Sequence, residues 1–394
     1  MAIENRFFNY FNDVGVVAQM LCFSLRRTCN TLTMELLLIK YVKPYHLLFT
    51  LLIGLFLLII TYSCSDREQV SNSYYKLINE AELSIIDNDF ITAKEIYLEA
   101  FNSKKPFATD IYNYFILSLK LEDVDNINKA LKLLISEKGA EKEFFINHPS
   151  FPNLFDVISF EEFSNKYDGL RRKFESNYDY KLNLAINSYF LKDQKVRSVE
   201  DSYVNNLDTT MYYDSIFYVK FVDLCLSENG FPDEFEVGVW MNEKSKSTRS
   251  FYTPIEILIT HFYGGGGRYH KERNFDLSDC LLNEISEGNF PPEIYTVFSF
   301  WKDQCFYTDP CIIPGDYNCI VINNEALFHV PKNSIKLDSL RAEIYLEPIA
   351  DSNRKAQFQL DNREYIFNSK LMIGYNGLSD KTADIIKSQF NLAK

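Results

Sequence analysis

The sequence predicts a mainly α protein: a helical-hairpin module, then a helical domain, then a small α+β appendage on the C-terminal side. Three observations predict it. Apolar and small residues recur at helical spacing between Leu77 and Ser136. Gly and Pro in the middle of the chain fall where helices stop or start. Short β-like runs replace the longer periodic ones only past Pro310. The 394 residues divide accordingly into a leader with an export-type signal (1–63), a tether (64–73), the hairpin module (74–147), the helical domain (153–309) and the α+β region (310–394).

The first element is the apolar run Leu47 to Ile60, closed by Thr61, Tyr62, Ser63 and Cys64. A bilayer core asks for about 20 apolar residues, and Leu47 to Tyr62 supplies sixteen. A secretory signal needs a basic flank, a shorter apolar core and a small residue before the cut; Lys40, Lys43 and Ser63 supply the flank and the small residue. A Cys directly after a small residue at the end of such a core resembles the lipobox of bacterial lipoproteins. That resemblance makes Cys64 the lipidated N-terminus of the mature chain, with an uncleaved signal anchor as the alternative. Met34 offers a cleaner start for this signal than Met1, because 1–33 would make a very long n-region; a short amphipathic segment around Val14 to Leu25 is the other reading.

Composition bounds the partners. Setting aside the five basic and three acidic residues of 1–63 leaves 36 and 51 from Cys64 onward, a formal net charge of −15. An acidic body without a dense Lys/Arg cluster is repelled by phosphate backbones, so nucleic acid is not expected as a partner. The 33 Phe and 26 Tyr can serve sugar or peptide binding, and an AT-rich codon bias explains the same count. In this flavour the chain resembles proteins of the Bacteroidota. Five Cys lie beyond the anchor: Cys225, Cys280, Cys305, Cys311 and Cys319. The last three are the expected disulfide donors, and Cys225 and Cys280 read as unpaired small hydrophobes. Gaps of five and seven residues do not form zinc pairs, so no metal is expected.

Within 74–147, Leu77, Ala81 and Ile85 share one helical face, Asn88, Asp89 and Phe90 make a turn, and Ala93, Tyr97 and Ala100 share the next face. Small residues at Ala81, Ala93 and Ala100, with Pro106 near the close of the unit, resemble a tetratricopeptide repeat. A second pair, Asp110 to Leu121 and Asp125 to Ser136, comes next, with Phe115 and Ile127 where that repeat carries small residues. Two units are fewer than a free-standing solenoid needs, so the pairs are expected to pack on the more C-terminal part of the chain. An ordinary helical hairpin is the alternative. Pro149 and Pro152 then mark a boundary.

In 153–309, Phe160 to Leu170 and Tyr178 to Asp193 read as helices. Asp193, Gln194 and Arg197 end one helix, Asp214 opens another, and Asn229, Gly230, Phe231 and Pro232 stop it. Gly238 comes after them, Pro254 fits the first turn of a helix carrying His261, Gly288 closes a later one, and an aromatic helix launched at Pro291 and Pro292 ends near Asp303. From Leu182 to Asp309 this series resembles a bacterial family catalogued as a domain of unknown function, and the resemblance implies no activity.

His261, alone on an apolar helix, is the candidate base if a carboxylate fixes its tautomer. Asp193, Asp214 or Asp303 are the candidate partners, and Arg197 a candidate anion holder. A buried structural His is the competing reading. Gly264 to Gly267 read as a flexible loop, since they come after a helix and lead to no Gly-Lys-Ser/Thr, and His270 reads as solvated surface. With no nucleotide fingerprint, nucleophile elbow or zinc-protease helix, no cofactor is expected. Past Pro310, Asn318 to Ile322, Ala342 to Leu346, Gln357 to Leu360 and Tyr365 to Phe367 read as strands, with Asp361 and Asn362 as a hairpin turn and a last helix over Ser379 to Leu392. These features lead to a lipid-anchored cell-envelope protein acting as a non-catalytic scaffold or protein- or peptide-binding module, with an envelope hydrolase using His261, Asp193, Arg197 and Asp303 as the alternative. Radiolabelled palmitate is expected to enter the wild-type chain and to be lost in Cys64→Ala; retention of label in the variant counts against lipidation at that thiol.

Overall fold

The computed structural model describes residues 73–148, 150–197, 212, 216, 219–223, 231–239, 253–263, 277–302, 319–322, 325–329, 333–367, 379–381, 384 and 392–393. The chain divides into two compact units, Met1–Ser65 and Asp66–Lys394, and every described residue belongs to the second. Of the described residues 75% are helical, so the fold is mainly α. Among them no helix is long and apolar enough to cross a membrane; the run Leu47 to Cys64 lies outside them.

Four helices open the body: α1 (73–86), α2 (Phe90–Ser103), α3 (Ala108–Lys120) and α4 (Val124–Ser136). Their ends are written locally. Asn88 turns the chain with φ +60, which Asn tolerates better than most residues. Asp89 and Asp123 cap α2 and α4 by accepting the backbone N–H of Thr92 and Asn126. Ala81, Ala93, Ala100 and Tyr97 are fully buried, as are Phe115 and Ile127. Next come α5 (Lys142–Asn147), α6 (Leu154–Val157), α7 (Phe160–Glu175), α8 (Tyr180–Arg197), α9 (Glu234–Val237), α10 (Thr253–Tyr263), α11 (Ser278–Glu287) and α12 (Pro292–Lys302). Ser159 caps α7, Pro254 lies in the first turn of α10, and Gly288 ends α11 at φ +77, a left-handed position that suits glycine.

The C-terminal region holds a three-stranded antiparallel sheet of β1 (Cys319–Ile322), β2 (Glu325–His329) and β3 (Leu392–Ala393), with α13 (Ser334–Ala342) and α14 (Ile349–Asp361) between β2 and β3. The strand expected at Asn318 to Ile322 is there. The other three expected strands are corrected. Ala342 ends α13 and Tyr345 turns at φ +63; Gln357 to Leu360 lie inside α14; Tyr365 to Phe367 pair with no strand among the described residues. Asp361 and Asn362 end a helix instead of joining two strands. The β-branched and aromatic character of these runs was overridden by tertiary contacts, as β-propensity commonly is.

Those contacts fasten 341–367 to the opening helices. The Asn113 side chain donates to Ile366 O at 2.6 Å and accepts from Ile366 N at 2.8 Å, taking the place of a backbone ladder. The Tyr112 hydroxyl donates to Glu364 O at 2.9 Å. Asn79 donates to Asp351 at 2.9 Å, and Arg354 pairs with Asp87 at 2.7 Å. At the centre Lys355, 1% exposed, places its ammonium 2.6 Å from Glu82 and 4.0 Å from Glu347, which Arg341 approaches to 3.5 Å. One hydrophobic cluster runs from Tyr74 to Phe367. Residues of 74–147, 153–309 and 310–394 all contribute to it, and Pro152 lies in the turn between α5 and α6.

Removing one member of a buried ion pair leaves an uncompensated charge, whereas removing both with apolar residues is close to neutral. Lys355→Met is therefore expected to destabilise the protein by about 3–5 kcal/mol in denaturant unfolding, and Glu82→Leu in the same chain to restore part of it. A double variant as unstable as the sum of the two singles contradicts this account.

Candidate functional site

Two places gather chemistry. The first joins two of the residues singled out in the sequence. Asp193 lies on α8, fully buried, and His261 near the end of α10 with 22% of its side chain exposed. His261 Nδ1 stands 2.9 and 3.0 Å from the two carboxylate oxygens, and Gln194 donates to Asp193 Oδ2 at 2.8 Å. Facing a carboxylate, Nδ1 is the donor, and in a neutral imidazole that arrangement places the lone pair on Nε2, the tautomer a general base requires. Arg197 lies four residues beyond Asp193, on the same face of α8; its side chain lies outside the described residues, as do Asp303, Asp214 and Cys64. Of the cysteines, Cys280 is a half-buried free thiol and Cys319 sits on β1; Cys225, Cys305 and Cys311 fall outside the description, as do Asn229, Gly230, Gly264 to Gly267 and His270.

The second place was not anticipated. A small, partly open pocket is walled by Tyr75, Phe107 and Tyr345 and by the polar groups of Asn79, Asp110, Glu293, Glu347 and Lys355. Tyr75 stacks on Tyr345 at 5.5 Å between centroids and on Phe107 at 6.2 Å. The Tyr75 hydroxyl reaches Ile285 O and Phe290 O. The αL conformation of Tyr345, uncommon for an aromatic residue, helps set its ring against Tyr75.

Burial dominates the electrostatics here. It pushes Asp110 up to about 6 even though the Tyr74 hydroxyl donates to it at 2.5 Å. Burial pushes Glu82 up to about 7 against the pull of Lys355. Lys355 stays charged: burial opposes it, but Glu347 and Glu82 together hold it above the usual lysine value. Burial also opposes the charge on Glu347, which Lys355 and Arg341 overcome, keeping that carboxyl below its usual range. Behind the pocket Lys104 is pushed down to about 7 by burial. Its ammonium lies over the rings of Phe107, Tyr74 and Tyr75 at 4.0, 4.7 and 5.3 Å, with no hydrogen-bond partner. Deeper still, the buried pair Lys138 and Glu234 holds α9, with Glu234 accepting Ala108 N–H at 2.8 Å.

The signal for this pocket was present in the sequence. Glu82 falls between Ile78 and Ile85 on the buried stripe of α1, and Asp110 and Asn113 fall on that of α3; charged residues on an apolar stripe mark buried polar chemistry. No protein-family model matches the chain, and no curated protein and no solved structure matches it either.

Asp110 yields a pH dependence with a definite sign. Its folded value of about 6 exceeds the ordinary 3.8, so the folded state binds more protons between those values and loses stability as pH rises through them. In thermal melts the wild type is expected to lose ground to Asp110→Asn between pH 4 and pH 7; a constant difference between the two proteins contradicts the raised value.

Proposed function

We propose that this is a lipid-anchored cell-envelope protein whose helical body binds a protein or peptide partner and catalyses nothing. One observation supports it above the others. The pocket at Tyr75 is a concave aromatic surface with a few convergent polar groups, the combination by which binding sites recognise a ligand. Its walls come from α1, the start of α3, α12 and the 345–355 segment, elements already fixed by buried polar contacts, so the surface is preorganised and little ordering cost opposes binding. The apolar run ending at Cys64 supports the anchor, and the acidic net charge supports a partner other than nucleic acid. A photo-crosslinking residue at Thr109, in the pocket wall, is expected to capture one discrete species in envelope fractions. The same probe at exposed Asp125 serves as the control, and identical adducts from both positions count against the pocket as the binding surface.

A second reading, an envelope hydrolase, is favoured by the His261–Asp193 pair, because a base with its tautomer fixed and its ring partly open to solvent is more than packing requires. It requires His261→Asn to lower hydrolysis of an ester or amide substrate by about 10²–10⁴-fold. Equal turnover by wild type and variant removes it.

A further inference from the structure

The chemistry of the Tyr75 pocket narrows what enters it, an inference that rests on the binding reading above. Asp110, Glu293 and Glu347, 2%, 8% and 9% exposed, all face this space. Their cation supply is uneven. Glu347 has Arg341 and Lys355, while among the described residues no Lys or Arg comes within 4.0 Å of Asp110, which accepts from the Tyr74 hydroxyl and feels Lys104 and Lys138 only at longer range. A buried carboxyl without a counter-ion is costly. Beside it the buried Oδ1 of Asn79 has no hydrogen-bond partner. That orientation of the amide is fixed, because Asn79 Nδ2 is spent on the Asp351 carboxylate and turning the group over would set two acceptors against each other. The wall therefore presents a carboxyl with no cation in contact and an unmet acceptor, next to aromatic faces that attract cations. The protein itself uses the same rings in this way, for Lys104 over Tyr75 and Phe107.

We infer that this pocket binds a single organic ammonium group, supplied by a lysine side chain of the peptide partner, with Asp110 as counter-ion, Asn79 Oδ1 as acceptor and the Tyr75, Tyr345 and Phe107 rings around its methylenes. The free space inside accepts a water-sized head. It suits one nitrogen with three N–H donors better than a planar guanidinium.

The test uses the full chain in detergent and isothermal calorimetry with three probes: a capped alanine–lysine–alanine peptide, its norleucine counterpart, and butylammonium. The lysine peptide is expected to bind at least about tenfold tighter than the norleucine peptide, as a charge-assisted and cation–π contact requires. That preference is expected to disappear in Asp110→Asn; should this variant not melt cooperatively, Asn79→Leu, which removes the proposed acceptor, takes its place and is expected to weaken the preference. Equal binding of the two peptides overturns the ammonium assignment and leaves a peptide-binding body standing. Butylammonium binding as tightly as the lysine peptide keeps the ammonium and overturns the peptide as its source. Heat from none of the three overturns both.

Discussion

The ammonium of Lys355, enclosed between Glu82 and Glu347, is the constraint on which the rest of the described structure depends. Glu82 lies on the first described helix and Lys355 on α14, so one buried contact fixes both ends of the body against each other. Such a pair adds little net stability compared with apolar groups of the same shape, but it tolerates no misalignment, because either charge alone in the core is heavily penalised. Helices with interchangeable apolar faces can slide; helices that must bring Glu82 to Lys355 cannot. The Asn113 clamp on Ile366 enforces the same register through backbone groups. The four opening helices are in this way joined by a segment that arrives much later in the chain.

The pocket is a product of that closure. Tyr75 and Asp110 come from the opening helices, Glu293 from the start of α12, and Tyr345, Glu347 and Lys355 from the returning segment. None of these elements alone encloses anything. The turn at Tyr345 departs from comfortable backbone geometry, and its ring stacks against Tyr75 on the opening helix. A residue held in a sparsely populated conformation persists only when its surroundings over-determine it, and the neighbouring ion cluster supplies that rigidity.

Local rules made much of this legible in the sequence. The helices around Ala81, Ala93, Ala100, Phe115 and Ile127 follow from apolar spacing, their starts from Asp89 and Asp123, and their stops from Asn88 and Gly288, all of which act within a few residues. The pairing of His261 with Asp193 was readable as chemistry, one His on an apolar helix needing a carboxylate, although nothing local pointed to Asp193 in particular. What local rules could not reach was the end of the chain. Gln357 to Leu360 carry strand-like residues, yet they continue a helix whose position is dictated by Lys355 meeting Glu82, a contact invisible to any short window. Tyr345 looked like strand for the same reason. The pocket escaped notice because its residues are scattered over five segments, though Glu82 and Asp110 on apolar stripes were its visible trace.

The clamp between Asn113 and Ile366 also sets an order of events in time. Its two hydrogen bonds close a loop of 253 residues, and long-range closures of that kind form late because their entropic cost precedes their reward. While the chain is being made, the opening helices have no partner for Asn113 or Glu82 and must leave these groups hydrated. Closure of the body around this clamp waits until synthesis has passed Phe367.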